Sequence, residues 1–366
     1  MKKVLLSEIT SFLARGAAPK YTEKDDFYVL NQKCIRDWRV LLKDARFTDT
    51  EAKRVHDDRI LRDNDILVNS TGQGTLGRVA QFLKLDRPAT VDSHITIVRP
   101  NPDLVFPEYL GYVLKGRQNE IELLAEGSTG QTELSKLKLA NLSIDLPPLD
   151  QQKKIADILS SLDEKIELNR RMNETLEQLG QTLFRHYFID NPDAKNWKKR
   201  SLGEFFPVKT GKKDANFGTK DGKFPFFTCA QTISRAPSCS FDGSAILVAG
   251  NGDFNIKYYT GKFEAYQRTY VLIPHNEELL GFLYFLMKKD LSLITGGSRG
   301  SVIKFITKGM IENYRVELPD DNDLAAFAPI FSELLALMSH SNEQIQTLAA
   351  LRDALLPKLI SGEIEI

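Results

Sequence analysis

Three cysteines in 366 residues, Cys34, Cys229 and Cys239, are too few and too scattered for a disulfide framework. None stands in a C-x-x-C pair, which argues for a reducing compartment and against a zinc site. The five histidines, His56, His94, His186, His275 and His340, never fall at metal-ligand spacing. Each reads as an ordinary surface or core side chain, and no metal is expected. No apolar run approaches the ~20 residues a membrane span needs. The opening MKKVLLSEITSFLARG lacks the sustained apolar stretch and small-residue cleavage site of a signal peptide, so the chain reads as cytoplasmic. Net charge is also missing, with 49 basic and 49 acidic side chains. That balance hides an uneven spread. Residues 1–148 carry 22 basic and 21 acidic groups, and residues 149–190 carry 6 and 8. Residues 191–319 carry 19 and 12, and residues 320–366 carry 2 and 8. The one basic segment gives weak support to a polyanionic partner.

What is present is the composition of a globular protein, 42% hydrophobic and 27% charged, and a length that accommodates two domains. The stretch DILVNSTGQGTLGR at 65–78 runs from an apolar strand into G-x-G-x-x-G, with Asp92 twenty residues beyond Gly72. This is the outline of a dinucleotide-binding fingerprint. Self-comparison argues against it. ILVNSTGQG at 66–74 has a counterpart in ILVAGNGDF at 246–254, which has no third glycine and leads into strand-like NIKYYTGKFEAY. In the first copy RVAQFLKL is too short to be a crossover helix, so no helix N-terminus faces a pyrophosphate. Turns between strands, with glycines supplying positive φ, account for both loops. Their polar side chains are also free to face a polar ligand.

The repeat extends along the whole chain. KVLLSEI at 3–9 matches KRSLGEF at 199–205, and ITIVRPN at 95–101 matches YVLIPHN at 270–276. PEYLGYVLKGRQNEIELLAEG at 107–127 matches EELLGFLYFLMKKDLSLITGG, and GSTGQTEL at 127–134 matches GSRGSVIK at 297–304. LSIDLPPLDQQ at 142–152 matches YRVELPDDNDL at 314–324. The offset drifts from 196 to 172, as insertions and deletions in one copy's loops would produce.

Each copy ends in a long helical pattern. Ile155, Leu162, Asn169, Leu176 and Leu183 form a heptad row, with Ile158, Met172 and Leu179 as companions and Leu159 and Ile166 widening the stripe. The second copy gives Phe327, Leu334, Ser341, Leu348 and Leu355, with Ile330, Leu337 and Leu351 as companions and Phe331, Met338 and Ile345 widening it. These are coiled-coil seams with a polar residue, Asn169 or Ser341, at the middle. Pseudo-twofold symmetry predicts that the two helices pair antiparallel, with Asn169 and Ser341 setting register. Residues 150–187 would form a strut of about 57 Å. Such a strut suits two globules reading half-sites ~34–36 Å apart on duplex DNA.

LPPLDQQKKIADILSSLDEKIELNRRMNETLEQLGQTLF and the closing LRDALLPKLISGEI closely resemble the helical spacers of type I restriction–modification specificity subunits. The glycine loop and the GSTGQTELSKL loop are similar to elements of that family's target recognition domains. The resemblance implies an α+β chain of two pseudo-symmetric recognition domains, 1–148 and 191–319. Spacer helices at 149–190 and 320–366 would form an antiparallel coiled coil. It further implies a non-catalytic subunit without cofactor, whose partners are double-stranded DNA, two DNA adenine methyltransferase subunits and restriction subunits. The residues agree on catalysis: there is no amino-methyltransferase motif, no G-x-x-x-x-G-K-[ST] loop and no convincing nuclease carboxylate pattern. A tandem coiled-coil adaptor for protein or sugar, and a dinucleotide-dependent oxidoreductase, are the rival readings.

Candidate DNA-reading residues in the first copy are Arg15, Lys20, Asn69, Ser70, Thr71, Gln73, Arg78, Ser128, Thr129 and Gln131. In the second they are Lys209, Lys212, Lys213, Asn251, Asp253, Asn255, Lys257, Arg299, Ser301 and Lys304. These side-chain types read base edges or hold phosphates. Lys212 and Lys213 fit phosphate better than bases, and the near-neutral first copy weakens the DNA reading, since phosphate contacts supply most of the affinity.

Overall fold

The computed structural model describes residues 2–24, 26–127, 132–252, 254–296 and 305–366. It divides into two compact units, Met1–Ile166 with Thr347–Ile366, and Glu167–Gln346.

In the first unit the strand Lys2–Leu5 pairs antiparallel with Ser143–Leu146, with Lys2 opposite Leu146. A 3-10 turn, Leu6–Ile9, follows, and the Glu8 carboxylate accepts the Leu5 N–H at 2.6 Å. The central sheet runs Thr10–Arg15, Ile95–Pro100, Ile66–Asn69, Val79–Gln81. Residues 66–69 and 95–100 are buried throughout, because a second four-stranded sheet and the helix Pro107–Gly116 cover the unit. Burial on both faces explains why these strands read as continuous apolar runs and not as alternations. Pro107 opens the helix, where its missing N–H costs nothing. The repeated stretch 107–127 forms two helices, Pro107–Gly116 and Gln118–Leu123, separated at Arg117.

The second unit repeats the plan. Lys198–Ser201 pairs antiparallel with Arg315–Leu318, with Lys198 opposite Leu318. Glu204 accepts the Ser201 N–H at 2.8 Å, as Glu8 does at Leu5. The first four strands of its six-stranded sheet are Val208–Thr210, Thr269–Leu272, Phe241–Ala249 and Ile256–Ala265, in the same order as in the first unit. A helix, Leu280–Thr295, covers them. Each unit also has a short helix capped by a hydroxyl, Ser135 before Lys136–Ala140 and Thr307 before Lys308–Glu312. Gly16 and Gly211 occupy equivalent places. A side chain on either would run into backbone carbonyls, of Val91 and Asp92 in one case and Ala265 and Tyr266 in the other.

The long helices are Leu149–Phe188, 40 residues, and Asp321–Ser361, 41 residues. Within the first unit Asp163 meets Arg352 at 2.5 Å and Lys154 meets the carbonyl of Ile366 at 3.4 Å. Within the second, Asn169 meets Gln344 at 3.0 Å, Asn173 meets Asn342 at 2.9 Å, and the Tyr187 and Phe327 rings lie 4.7 Å apart. Numbers rise on one helix as they fall on the other, so the pairing is antiparallel in both units.

Two expectations need correction. The seam pairs the heptad rows with the wider row, not with the companions chosen from hydrophobicity. Leu159, Ile166, Phe331 and Met338 are buried, while Met172, Leu179, Leu337 and Leu351 are exposed. Asn173 and Gly180 hold the inward positions beside Asn169, so a polar and a small residue sit where apolar ones were expected. The second long helix also has an apolar window long enough to cross a membrane by length and composition. Its apolar residues Leu324, Phe331, Leu334, Leu335 and Met338 belong to the core of the second unit.

Candidate nucleic-acid interface

In the first unit the glycine loop joins the antiparallel strands Ile66–Asn69 and Val79–Gln81. Gly72, Gly74 and Gly77 have φ of 107°, 69° and 80°, the conformations that glycine alone adopts without strain. This is a β-turn loop with no helix behind it, and the dinucleotide geometry is not formed. Residues 250–252 and 254–255 lie on the equivalent connection between Phe241–Ala249 and Ile256–Ala265, with Gly252 at φ 73°. Each loop meets the chain that returns from the downstream Gly-Ser segment. Thr71 bridges Glu133, and Leu134 donates its N–H to Ser70 O at 2.8 Å. Asn251 bridges Phe305, and Ile306 donates to Gly250 O at 3.0 Å. In both units the glycine loop therefore lies beside the described chain that follows the Gly-Ser segment.

The candidate side chains divide into three groups. Asn69 and Ser70 have no exposed surface, which removes them as ligand contacts. Asn69 donates to the carbonyls of Gln32 and Thr75, both at 3.0 Å, and Ser70 shares a 2.5 Å bond with Thr96. They shape the loop. A second group is partly committed within the fold. Arg15 bonds the Leu134 carbonyl and pairs with Glu133, and Arg78 donates to Gly74 O at 2.8 Å. Asn255 is buried and donates to Cys229 O at 2.9 Å, while Lys257 donates to Ala230 O at 2.7 Å and also bonds Asn255. These residues hold the loop's flank.

The third group faces outward. Lys20, Gln73, Lys209 and Lys212 are exposed, and Thr71, Lys213 and Asn251 are half-buried. Lys209, Lys212 and Lys213 lie on one short segment. Lys212 Nζ stands 5.5 Å from the Phe241 ring centre and Lys213 Nζ 4.6 Å from that of Phe217. Each ammonium lies over an aromatic face, where the ring quadrupole attracts it. Ser128, Thr129, Gln131, Asp253, Arg299, Ser301 and Lys304 lie outside the described residues.

Sequence reasoning passed over His94. Its Nδ1 lies 2.6 Å from Thr71 Oγ1 at the lip of the first glycine loop, and its ring is exposed. Beneath it Asp92 is buried, accepts the His94 N–H at 2.9 Å, and is pushed above the usual carboxylate range by that burial. Tyr21 lies in the same region, its phenol pushed up first by burial and then by the Asp92 charge, with Arg46 3.4 Å over its ring. No spacing pattern in the sequence signals this cluster. Among the described residues no group of His, Cys, Asp and Glu could hold a metal ion.

Comparison with known proteins matches residues 42–178 and 194–348 to the family model for the type I restriction modification DNA specificity domain. The EcoDI specificity subunit of Escherichia coli is 44% identical over 173 residues, 46% of this chain and 39% of that protein. The MjaIX specificity subunit of Methanocaldococcus jannaschii is 26% identical over 322 residues, 76% of this chain and 74% of that one. The fold is similar to that of the crystal structure of a type I restriction–modification S subunit from M. genitalium, with TM-score 0.58 and 20% identity over 98% of this chain and 95% of the other. With two matched segments, one on each copy of a repeated α+β unit, the chain belongs to the type I restriction–modification DNA specificity family.

Proposed function

We propose that this chain is the DNA sequence-specificity subunit of a type I restriction–modification complex. Each globule reads one half of a bipartite target, and the paired helices fix the unread spacer and dock two DNA adenine methyltransferase subunits, with restriction subunits joining that assembly. The observation that carries the reading is the duplication itself. Two units of one topology offer a glycine loop and its neighbouring chain return at equivalent places. Duplex DNA offers the matching arrangement, two half-sites related by an approximate twofold.

Thr71, Gln73 and Lys20 in the first unit, and Lys209, Lys212, Lys213 and Asn251 in the second, are the described candidates to meet DNA. His94 joins them. The lysines supply phosphate contacts and the amide and hydroxyl groups read base edges. The first globule has little net charge, so the methyltransferase partners contribute phosphate contacts on that side. The chain itself carries out no chemistry and uses no cofactor. The family match disfavours the adaptor reading.

Mapping methylated adenines in DNA from cells expressing this chain with its methyltransferase subunit tests the proposal. The expected result is one split motif with a spacer of constant length. A continuous motif, or methylation independent of this chain, would overturn it.

A further inference from the structure

The two units meet the long helices through equivalent positions with opposite chemistry. The second long helix follows the first at an offset of 172, which matches Asp163 to Leu335 and Gly180 to Arg352. Gly111 and Gly281 align the covering helices, which matches Tyr112 to Phe282 and Lys115 to Phe285. In the second unit the four positions are apolar. Phe282, Phe285 and Leu335 are buried in one core, and Gly180 lies against the Phe285 ring with no room for a side chain. In the first unit they are ionic. Asp163 accepts from Arg352 at 2.5 Å and from the Tyr112 hydroxyl at 2.8 Å, and Lys115 Nζ lies 4.0 Å away. Lys115 is buried, with its ammonium 4.6 Å from the Tyr112 ring centre.

A second observation converges on the same place. The hairpin Ile35–Arg36 with Arg39–Val40 turns through Asp37 and Trp38, at φ 52° and 61°. A two-residue turn of this hand is left to Gly and Asn in most hairpins, and a bulky residue there is an unfavourable conformer. The turn sets the Trp38 ring 4.2 Å under the Arg352 guanidinium. Strained backbone of this kind persists where surrounding contacts over-determine it.

We propose that Asp163 is a positioning residue: with Tyr112, Lys115, Arg352 and Trp38 it forms the joint that fixes the first recognition globule on the helical pair. Phe282, Phe285, Leu335 and Gly180 form the apolar version of the same joint in the second unit. The ionic joint is all-or-none. Removing the carboxylate takes away the anion shared by the buried Lys115 ammonium and the half-buried Arg352 guanidinium, which keeps its pair with Asp353 at 2.7 Å, whereas the apolar joint tolerates graded change.

The DNA-level consequence rests on the reading proposed above, so the test has two arms. Hydrogen exchange of the full chain compares Asp163→Leu with the triple change Lys115→Phe, Asp163→Leu, Arg352→Gly, which copies the second unit at three of the four matched positions. Asp163→Leu raises exchange across residues 107–116 and 35–40 by about tenfold or more and leaves residues 280–286 unchanged, and the triple change returns protection to within about threefold of the parent. Unaltered exchange in Asp163→Leu, or failure of the triple change to restore it, overturns the joint. The methylation arm expects Asp163→Leu to accept more than one spacer length while the second half-site stays fixed. If the parent chain directs no split motif, the functional reading fails while the exchange result still decides the joint.

Discussion

Asn169 donates its side-chain amide to Gln344 Oε1 at 3.0 Å from a fully buried position between the two long helices. Its own Oδ1, together with Asn173 Oδ1 and Ser341 Oγ, has no hydrogen-bond partner among the described residues. A polar layer of this kind costs stability and specifies register. Replacing Asn169 by Leu is expected to stabilise the helical pair by about 1 kcal/mol and to blur its register. Thermal unfolding followed by circular dichroism, with disulfide trapping of cysteine pairs introduced one heptad apart, reads both effects. A lower midpoint, or a single trapped register identical to the parent's, goes against this account.

Register matters because the pair is proposed to measure DNA. Four residues inserted at matching points of both long helices add ~6 Å to each. That distance is close to two base-pair steps, so the tolerated spacer should lengthen by about two base pairs. An unchanged spacer in the methylation map would remove the ruler from the model.

Asp65 and Arg99 form a buried bidentate pair, with Arg99 Nε 2.8 Å from Oδ1 and Nη2 2.7 Å from Oδ2. The same guanidinium donates to the carbonyls of Asp58 at 3.1 Å and Ile60 at 2.9 Å, tying the segment before the central strand to the sheet. Asp65→Ala strands a buried cation and is expected to cost the first unit about 3–5 kcal/mol. The double change Asp65→Leu, Arg99→Met should recover much of that loss. Denaturant titration decides it, and equal stability of the parent and Asp65→Ala would refute the assignment.

Lys115 gives a pH signature. Burial first, and the Arg352 charge after it, lower its pKa to about 8, while Asp163 pulls the other way. An unfolded lysine titrates near ~10.4, so between pH 8 and 10 the unfolded chain holds the extra proton. Stability of the first unit should therefore rise with pH across that window, by at most about 1.4 kcal/mol per unit. Tyr112, whose phenol is raised by burial and then by Asp163, acts in the opposite sense above pH 10. Lys115→Met should flatten the rise. A profile in the parent that is flat or falling between pH 8 and 10 would contradict the burial argument.

The duplication could be read from the sequence because strand and turn patterns survive loop divergence. Lys2 and Lys198 differ by 196, Leu146 and Leu318 by 172, and each lysine faces its own leucine across an antiparallel pair. The seam was only half legible. Hydrophobicity favours Met172 and Leu179, yet Asn173 and Gly180 point inward, because the helix's rotation is set by the globule packed on it and not by its own composition. Loop chemistry misled in a similar way at Asn69 and Ser70. They belong to a strand end that the sheet draws inside, and no local pattern separates that from an open loop.

The antiparallel pairing of Lys2–Leu5 with Ser143–Leu146, and of Lys198–Ser201 with Arg315–Leu318, closes each globule at its own base. The chain leaves beside the point where it arrived. Such a body can be exchanged for a differently reading one through a single two-stranded seal, without redesigning the scaffold that carries it. In genetic terms, an exchange whose crossovers fall at those two ladders would change the address while preserving the frame.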